Sequence, residues 1–170
     1  MAIDAAASSF FHTGTYSVDG RCVDTRELSA MYQHLAATYP LLSIEDPFEE
    51  HAEGEYAALQ TAIPTRIMGD DLTTTNAERI ARAADAGAIK VVIIKPNQVG
   101  TLSETLDAMQ AARVRGVDCI VSHRSGETMD DFVADLAFAT GAFGLKAGSL
   151  RRTERVAKYE RLAAIAHPQV

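Results

Sequence analysis

The chain has 170 residues, 47% of them hydrophobic and 23% charged, with a net charge of -7 and a pI near 5.2. That composition suits one globular core, and the acidic balance argues against a nucleic-acid or anionic-membrane surface. No stretch approaches the roughly 18 apolar residues of a membrane span, and the opening "MAIDAAASSFF" lacks the basic region of a signal peptide. Cys22 and Cys119 have no partner at disulfide or metal-ligand spacing, so reduced thiols in a cytoplasmic protein are expected.

In chain order, short apolar runs alternate with amphipathic stretches. "MAI" leads into Asp4, and "TRELSAMYQHLAATY" predicts a helix with Leu28, Met31, Tyr32 and Leu35 on one face. "YPLLSI" reads as a strand leading into Glu45, and "TRIM" as another leading into Gly69, Asp70 and Asp71. "TTTNAERIARAADAG" predicts a helix capped by Asn76, with Ile80 and Ala84 on one face and Gly87 as the stop. "KVVII" is a buried strand closed by Lys95 and Pro96. "TLSETLDAMQAARVRG" follows as a helix, with Leu102, Leu106, Met109 and Arg113 along its stripe. "DCIV" leads into Ser122 and His123, and "AFGL" into Lys146. "TMDDFVADLAFATG" and "RRTERVAKYERLAAIA" are helical, with Phe132, Leu136, Val156, Tyr159 and Leu162 as the buried stripe.

Alternating strands and helices imply a parallel sheet, either doubly wound or a (β/α) barrel. No G-x-G-x-x-G turn follows the first strand, and the residues closing the apolar runs favour the barrel. They are Asp4, Glu45, Asp70, Lys95, His123 and Lys146: three acids, then three groups that can be cationic. In a barrel these positions converge on the face that carries active sites. Three carboxylates meeting there repel one another unless a cation neutralises them, and an all-oxygen set suits Mg²⁺. A metal would also disfavour the ammonium form of nearby lysines, leaving one able to act as a base. Each residue alone has a plainer reading: a turn aspartate, a surface histidine, a lysine reaching solvent. The sixteen basic residues are four lysines and twelve arginines. Such a preference keeps lysine where arginine, which does not deprotonate, cannot serve.

At these residues the sequence resembles the enolase family, the phosphopyruvate hydratases of glycolysis. "IDAAASSFF" (3–11), "SIEDPF" (43–48), "GDDLTTTN" (69–76), "IIKPNQVGTLSET" (93–105), "VSHRSGET" (121–128) and "LKAGSLRRTERVAKY" (145–159) follow the family's motifs in its order. The resemblance covers essentially the whole chain and implies an α/β fold of the enolase (β/α) TIM-barrel type. It implies Mg²⁺ as cofactor, held by Asp4, Glu45 and Asp70. It implies Lys95 as the base that removes the C2 proton of 2-phosphoglycerate, with Lys146 on the substrate carboxylate and His123 near the leaving hydroxyl. Arg124 and Ser125 then hold the phosphate, and Glu45, Asp70, Lys95, Ser122, His123, Arg124, Ser125 and Lys146 form the substrate contacts. Departures from the family pattern are Pro96, Arg151, Thr153 and Glu160, none of them a proposed ligand.

By the same resemblance, residues 1–170 correspond to the C-terminal part of the barrel, roughly six of eight strands. The family's N-terminal capping domain, the first two barrel strands, the acid that expels the hydroxyl and the loops that help hold a second Mg²⁺ are expected to be absent. Partners expected are 2-phosphoglycerate and phosphoenolpyruvate, and a complementing N-terminal enolase chain or a second copy, with no nucleic acid or membrane. A non-catalytic enolase-like scaffold is the alternative, and another lyase or racemase of the superfamily a further one.

Overall fold

The computed structural model describes residues 1–167, so the last three residues of the expected barrel segment lie outside the described residues. Strand β1 (Ala2–Asp4) leads through a short 3-10 turn into an antiparallel unit of β2 (Phe11–His12), β3 (Thr15–Val18) and β4 (Arg21–Val23). The unit was not among the predicted elements. Its two tight turns place Thr13 and Gly14, then Asp19 and Gly20, at positive φ, which is the backbone that two-residue hairpin turns demand. The unit carries Tyr16 into the core, against Phe10, Phe11 and Phe48.

From there the chain alternates: α1 (Thr25–Thr38), β5 (Ser43–Glu45), α2 (Glu53–Ala62), β6 (Arg66–Gly69), α3 (Ala77–Asp85) and β7 (Val91–Ile94). It continues with α4 (Pro96–Val99), α5 (Leu102–Arg113), β8 (Asp118–Ser122), α6 (Phe132–Ala139), β9 (Gly144–Lys146) and α7 (Thr153–Ala166). Asn76 caps α3 as expected, accepting from the N–H groups of Glu78 and Arg79. Asp24 and Glu27 close a reciprocal capping box on α1.

The six strands β1, β5, β6, β7, β8 and β9 form one parallel sheet in chain order. This is the arrangement of a (β/α) barrel; a doubly wound sheet would reverse its strand order partway. Strand alternation divides the apolar residues between two cores. Ile44, Ile67, Val92, Ile94 and Val121 face the helices in the large core, whereas Met68, Val91 and Ile93 form a small separate cluster with Ile120 on the other face. That second face is the inside of the curled sheet.

Two helix faces differ from expectation. On α5, Leu102 and Leu106 are exposed and the buried residues are Thr105, Ala108, Met109 and Ala112. Small residues let α5 lie close to α3 and the sheet; of the predicted stripe Met109 is buried, while Leu102, Leu106 and Arg113 are turned to solvent. On α6 and α7, Phe132 is exposed, and Val156, Tyr159 and Leu162 are only half-buried. The buried residues of α7 are Arg155 and Lys158.

Candidate active site

The inner face ends in polar residues because alternation carries it there. Val91 and Ile93 point inward along β7, and Lys95 is the next residue of that phase. Met68 points inward along β6, and Asp70 follows in the same phase. Asp4 lies opposite Glu45 in the β1–β5 register, and Ser122 opposite Lys146 in the β8–β9 register. Ser122, rather than His123, is thus the terminal strand residue of β8; His123 sits one position beyond.

Five of these groups are joined by ion pairs. Lys146 Nζ lies 2.8 Å from Asp4 Oδ2 and 2.8 Å from each Glu45 carboxylate oxygen. Lys95 Nζ is hydrogen-bonded to Asp70 Oδ2. The Asp4–Lys146 contact links the first and last strands of the sheet, so the sheet is curled far enough to bring its edges together. A cavity of about 480 Å³ lies inside the curl, lined by Met68, Val91, Ile93 and Ile120 and reaching Asp4, Glu45 and Lys146 at its mouth.

Burial raises the Glu45 pKa to about 7, even with Lys146 on both oxygens. Burial works to lower Lys146, but the hydrogen bonds to Asp4 and Glu45 outweigh it and hold the amine above the ordinary lysine range. The ammonium form of Lys146 is therefore favoured by these carboxylates, whereas the expected disfavour was for a lysine facing a bound metal. His123 is lowered, chiefly by burial. Its Nδ1 lies 2.7 Å from the Lys146 carbonyl oxygen, which can only accept, so Nδ1 carries the proton and Nε2 keeps a free lone pair.

Carboxylates are the donor type a hard cation takes, but among the described residues Asp4, Glu45 and Asp70 do not gather their oxygens within 4.8 Å of one another. Asp4, Glu45 and Asp70 stand on adjacent strand ends, and the two ammonium groups that reach these three carboxylates leave one negative charge unmatched. Asp70 Oδ1 is buried with no hydrogen-bond partner among the described residues, an oxygen that a bound cation would satisfy. A second acidic group, Asp46, Asp70 and Asp71, brings carboxylate oxygens within 4.8 Å of one another. Asp46 is already committed: it accepts from the N–H groups of Asp70 and Asp71 and from the Tyr56 hydroxyl. Burial raises it to about 6, and its φ of 42° turns the chain sharply after Glu45. Asp46 therefore positions the Asp70–Asp71 turn. Asp46 was not among the sequence-predicted site residues; the signal was the acid-acid-proline run after a buried strand.

Beyond β8, residues 124–128 form a loop in which Arg124 is half-buried and Ser125 exposed. The Arg124 N–H donates to Glu127 Oε1 at 2.9 Å. The structure thus joins Asp4, Glu45 and Lys146 in one cluster and Asp70 with Lys95 in another, seats His123 on the Lys146 carbonyl, and leaves Arg124 and Ser125 on the neighbouring loop.

A family model described as the enolase C-terminal TIM barrel domain matches residues 1–168. The enolase of Aeropyrum pernix is 48% identical over 167 residues, covering 97% of this chain and 39% of that protein. The enolases of Sulfolobus acidocaldarius and Methanosarcina barkeri are 46% and 45% identical, each over 97% of this chain, with 40% and 39% of their own lengths covered. The chain therefore spans about two fifths of the length of these relatives. A match over nearly every residue, on a parallel six-stranded sheet whose strand ends gather carboxylates and lysines, shows that the chain belongs to the enolase family.

Proposed function

We propose that this chain carries the metal-ligand, base and phosphate-binding part of a site that dehydrates 2-phospho-D-glycerate to phosphoenolpyruvate. The remaining strands and the acid come from sequence outside these 170 residues, on the same or a complementing chain. The observation that supports the reading is the strand alternation that leads to Asp4, Glu45 and Lys146 in one ion-paired cluster and to Asp70 and Lys95 in another, all at the inner strand ends.

The reaction breaks a C–H bond next to a carboxylate and then the C–O bond of the neighbouring hydroxyl. Lys95 Nζ takes the C2 proton, and the electron pair of that bond moves toward the carboxylate. A second negative charge develops there, and the Lys146 ammonium faces it. The pair then forms the C=C bond as the hydroxyl leaves as water, with a proton from the acid. Asp4, Glu45 and Asp70 would hold Mg²⁺, which when bound would supply electrostatic stabilisation at that carboxylate. Pairing a lysine base with Mg²⁺ is the general pattern known for this superfamily. Arg124 presents a guanidinium to the phosphate, with Ser125 beside it. His123, neutral with Nε2 free, accepts a hydrogen bond near the leaving hydroxyl. Cytoplasmic residence and Mg²⁺ dependence belong to this reading.

A half-reaction tests the base. The chain, combined with the N-terminal remainder of an enolase, is incubated with 2-phosphoglycerate and Mg²⁺ in D₂O, and loss of the C2 proton signal is followed by NMR. Lys95→Arg keeps the charge and removes a group able to deprotonate, and exchange should slow by about 10²–10⁴-fold. Exchange at the parent rate in that variant would refute Lys95 as the base.

A further inference from the structure

Helix α7 turns a charged face into the protein. Lys158 is fully buried and Arg155 is 6% exposed. Buried cations are costly unless hydrogen-bonded and paired, and both of these end on the same loop. Arg155 Nη1 donates to the Arg124 carbonyl at 2.7 Å, and Nη2 to the Ser125 carbonyl at 2.9 Å. Lys158 Nζ donates to the Thr128 carbonyl at 2.7 Å and pairs with Glu127 Oε2 at 3.0 Å. The other Glu127 oxygen accepts the Arg124 N–H. The loop from 124 to 128 is therefore gripped from beneath at Arg124, Ser125, Glu127 and Thr128.

The grip has a directional consequence. In a trans peptide the carbonyl and the next N–H point to opposite sides, and the chain has no cis bonds among the described residues. With the Arg124 and Ser125 carbonyls turned toward Arg155, the N–H groups of Ser125 and Gly126 turn away from α7. Neither donates to a protein acceptor among the described residues. The Arg155 stem also abuts the His123 side of the site: a Cβ at Gly148 would stand 3.3 Å from Arg155 Cδ and 3.5 Å from His123 Cε1.

We propose that Arg155 and Lys158 are positioning residues for anion binding by the 124–128 loop, acting through its backbone and without touching the substrate. The proposal rests on reading Arg124 and Ser125 as the phosphate-binding residues. A helix needing only to cover the sheet would have buried apolar groups here. Two desolvated cations, bonded to three carbonyls and a carboxylate of one loop, fix its peptide orientations.

The test uses the 170-residue chain, titrated with inorganic phosphate by calorimetry while the amide signals of Ser125 and Gly126 are followed. Mg²⁺ is titrated separately. Arg155→Gln and Lys158→Met should each weaken phosphate binding by about tenfold or more, the scale on which loss of an outer supporting group is felt. Mg²⁺ affinity should stay unchanged, a split that general loss of structure would not give. Arg155→Lys, the milder change, should show a smaller loss in the same direction and carries the test if Arg155→Gln does not fold. Unchanged phosphate affinity in the folded variants, with binding lost in Arg124→Ala, would overturn the positioning role and leave the phosphate reading intact. A parent chain that does not bind phosphate would overturn both.

Discussion

At the strand ends, carboxylates outnumber the ammonium groups that reach them. Asp4 and Glu45 share Lys146, Asp70 has Lys95, and Asp71 stands close by with a pKa raised first by burial and then by Asp70. Glu45 is the most sensitive member, raised to about 7 by burial. A cation bound on this side would let Asp4, Glu45 and Asp70 all stay ionised. Glu45→Gln or Asp70→Asn should weaken Mg²⁺ binding roughly tenfold or more, since affinity follows the charge count of the ligands. Asp46→Asn should act differently. It disturbs the bonds from Tyr56, Asp70 and Asp71 and should cost about 1–3 kcal/mol of stability, read by urea unfolding. A metal-affinity loss largest in the Asp46 variant would transfer the ligand role to the second acidic group. Glu127 allows a pH test. Burial pushes its pKa up, but the Arg124 N–H and Lys158 pull it further down, so the net direction is lowered. A lowered carboxyl stabilises the fold above its unfolded value, and that contribution disappears as pH falls through the folded value. The stability gap between parent and Glu127→Gln should accordingly be full at neutral pH and close in acid, below the ordinary glutamate range. A gap independent of pH would contradict the ion pair with Lys158.

Among the elements, β7 shows what the sequence discloses. Four buried aliphatics identify a strand, but not that Val91 and Ile93 face one core and Val92 and Ile94 another. Only the Lys95 that follows marks which phase leads to the site. Helix α5 was legible in existence and misjudged in rotation: hydrophobic periodicity selected leucines, whereas close packing selected Ala108 and Ala112. Leu106→Ala should change stability by less than about 0.5 kcal/mol, and Met109→Ala should cost about 2–5 kcal/mol, both measured by urea unfolding. The reverse order would restore the leucine stripe. Helix α7 hid its role because Arg155 and Lys158 look like solvent-facing charges in any periodic reading; the loop they hold lies far back in sequence, at 124–128. The hairpin unit was readable from its Thr-Gly and Asp-Gly turns, yet nothing in its short strands signals that Tyr16 anchors an aromatic cluster.

For the molecule as a whole, six parallel strands leave β1 and β9 at the edges of the sheet, tied at one end by Lys146 and Asp4. A closed (β/α) barrel has eight strands and a filled interior; this one has a cavity of about 480 Å³ on its inner face. Its inner apolar cluster is correspondingly small. The family and fold were legible because the motif residues sit at strand ends, where chemistry constrains identity. The closure of the barrel was not, since it depends on strands that these residues do not contain. The proposed enolase chemistry belongs to this chain's strand-end residues once the barrel is completed. It is tested most directly by following phosphoenolpyruvate formation from 2-phosphoglycerate with Mg²⁺, for the chain alone, for the N-terminal remainder of an enolase alone, and for the two mixed. The expected result is turnover in the mixture, absent from either part and lost when the chain carries Lys95→Ala. Turnover in the mixture that survives Lys95→Ala, or a mixture that assembles and stays inactive, would contradict it.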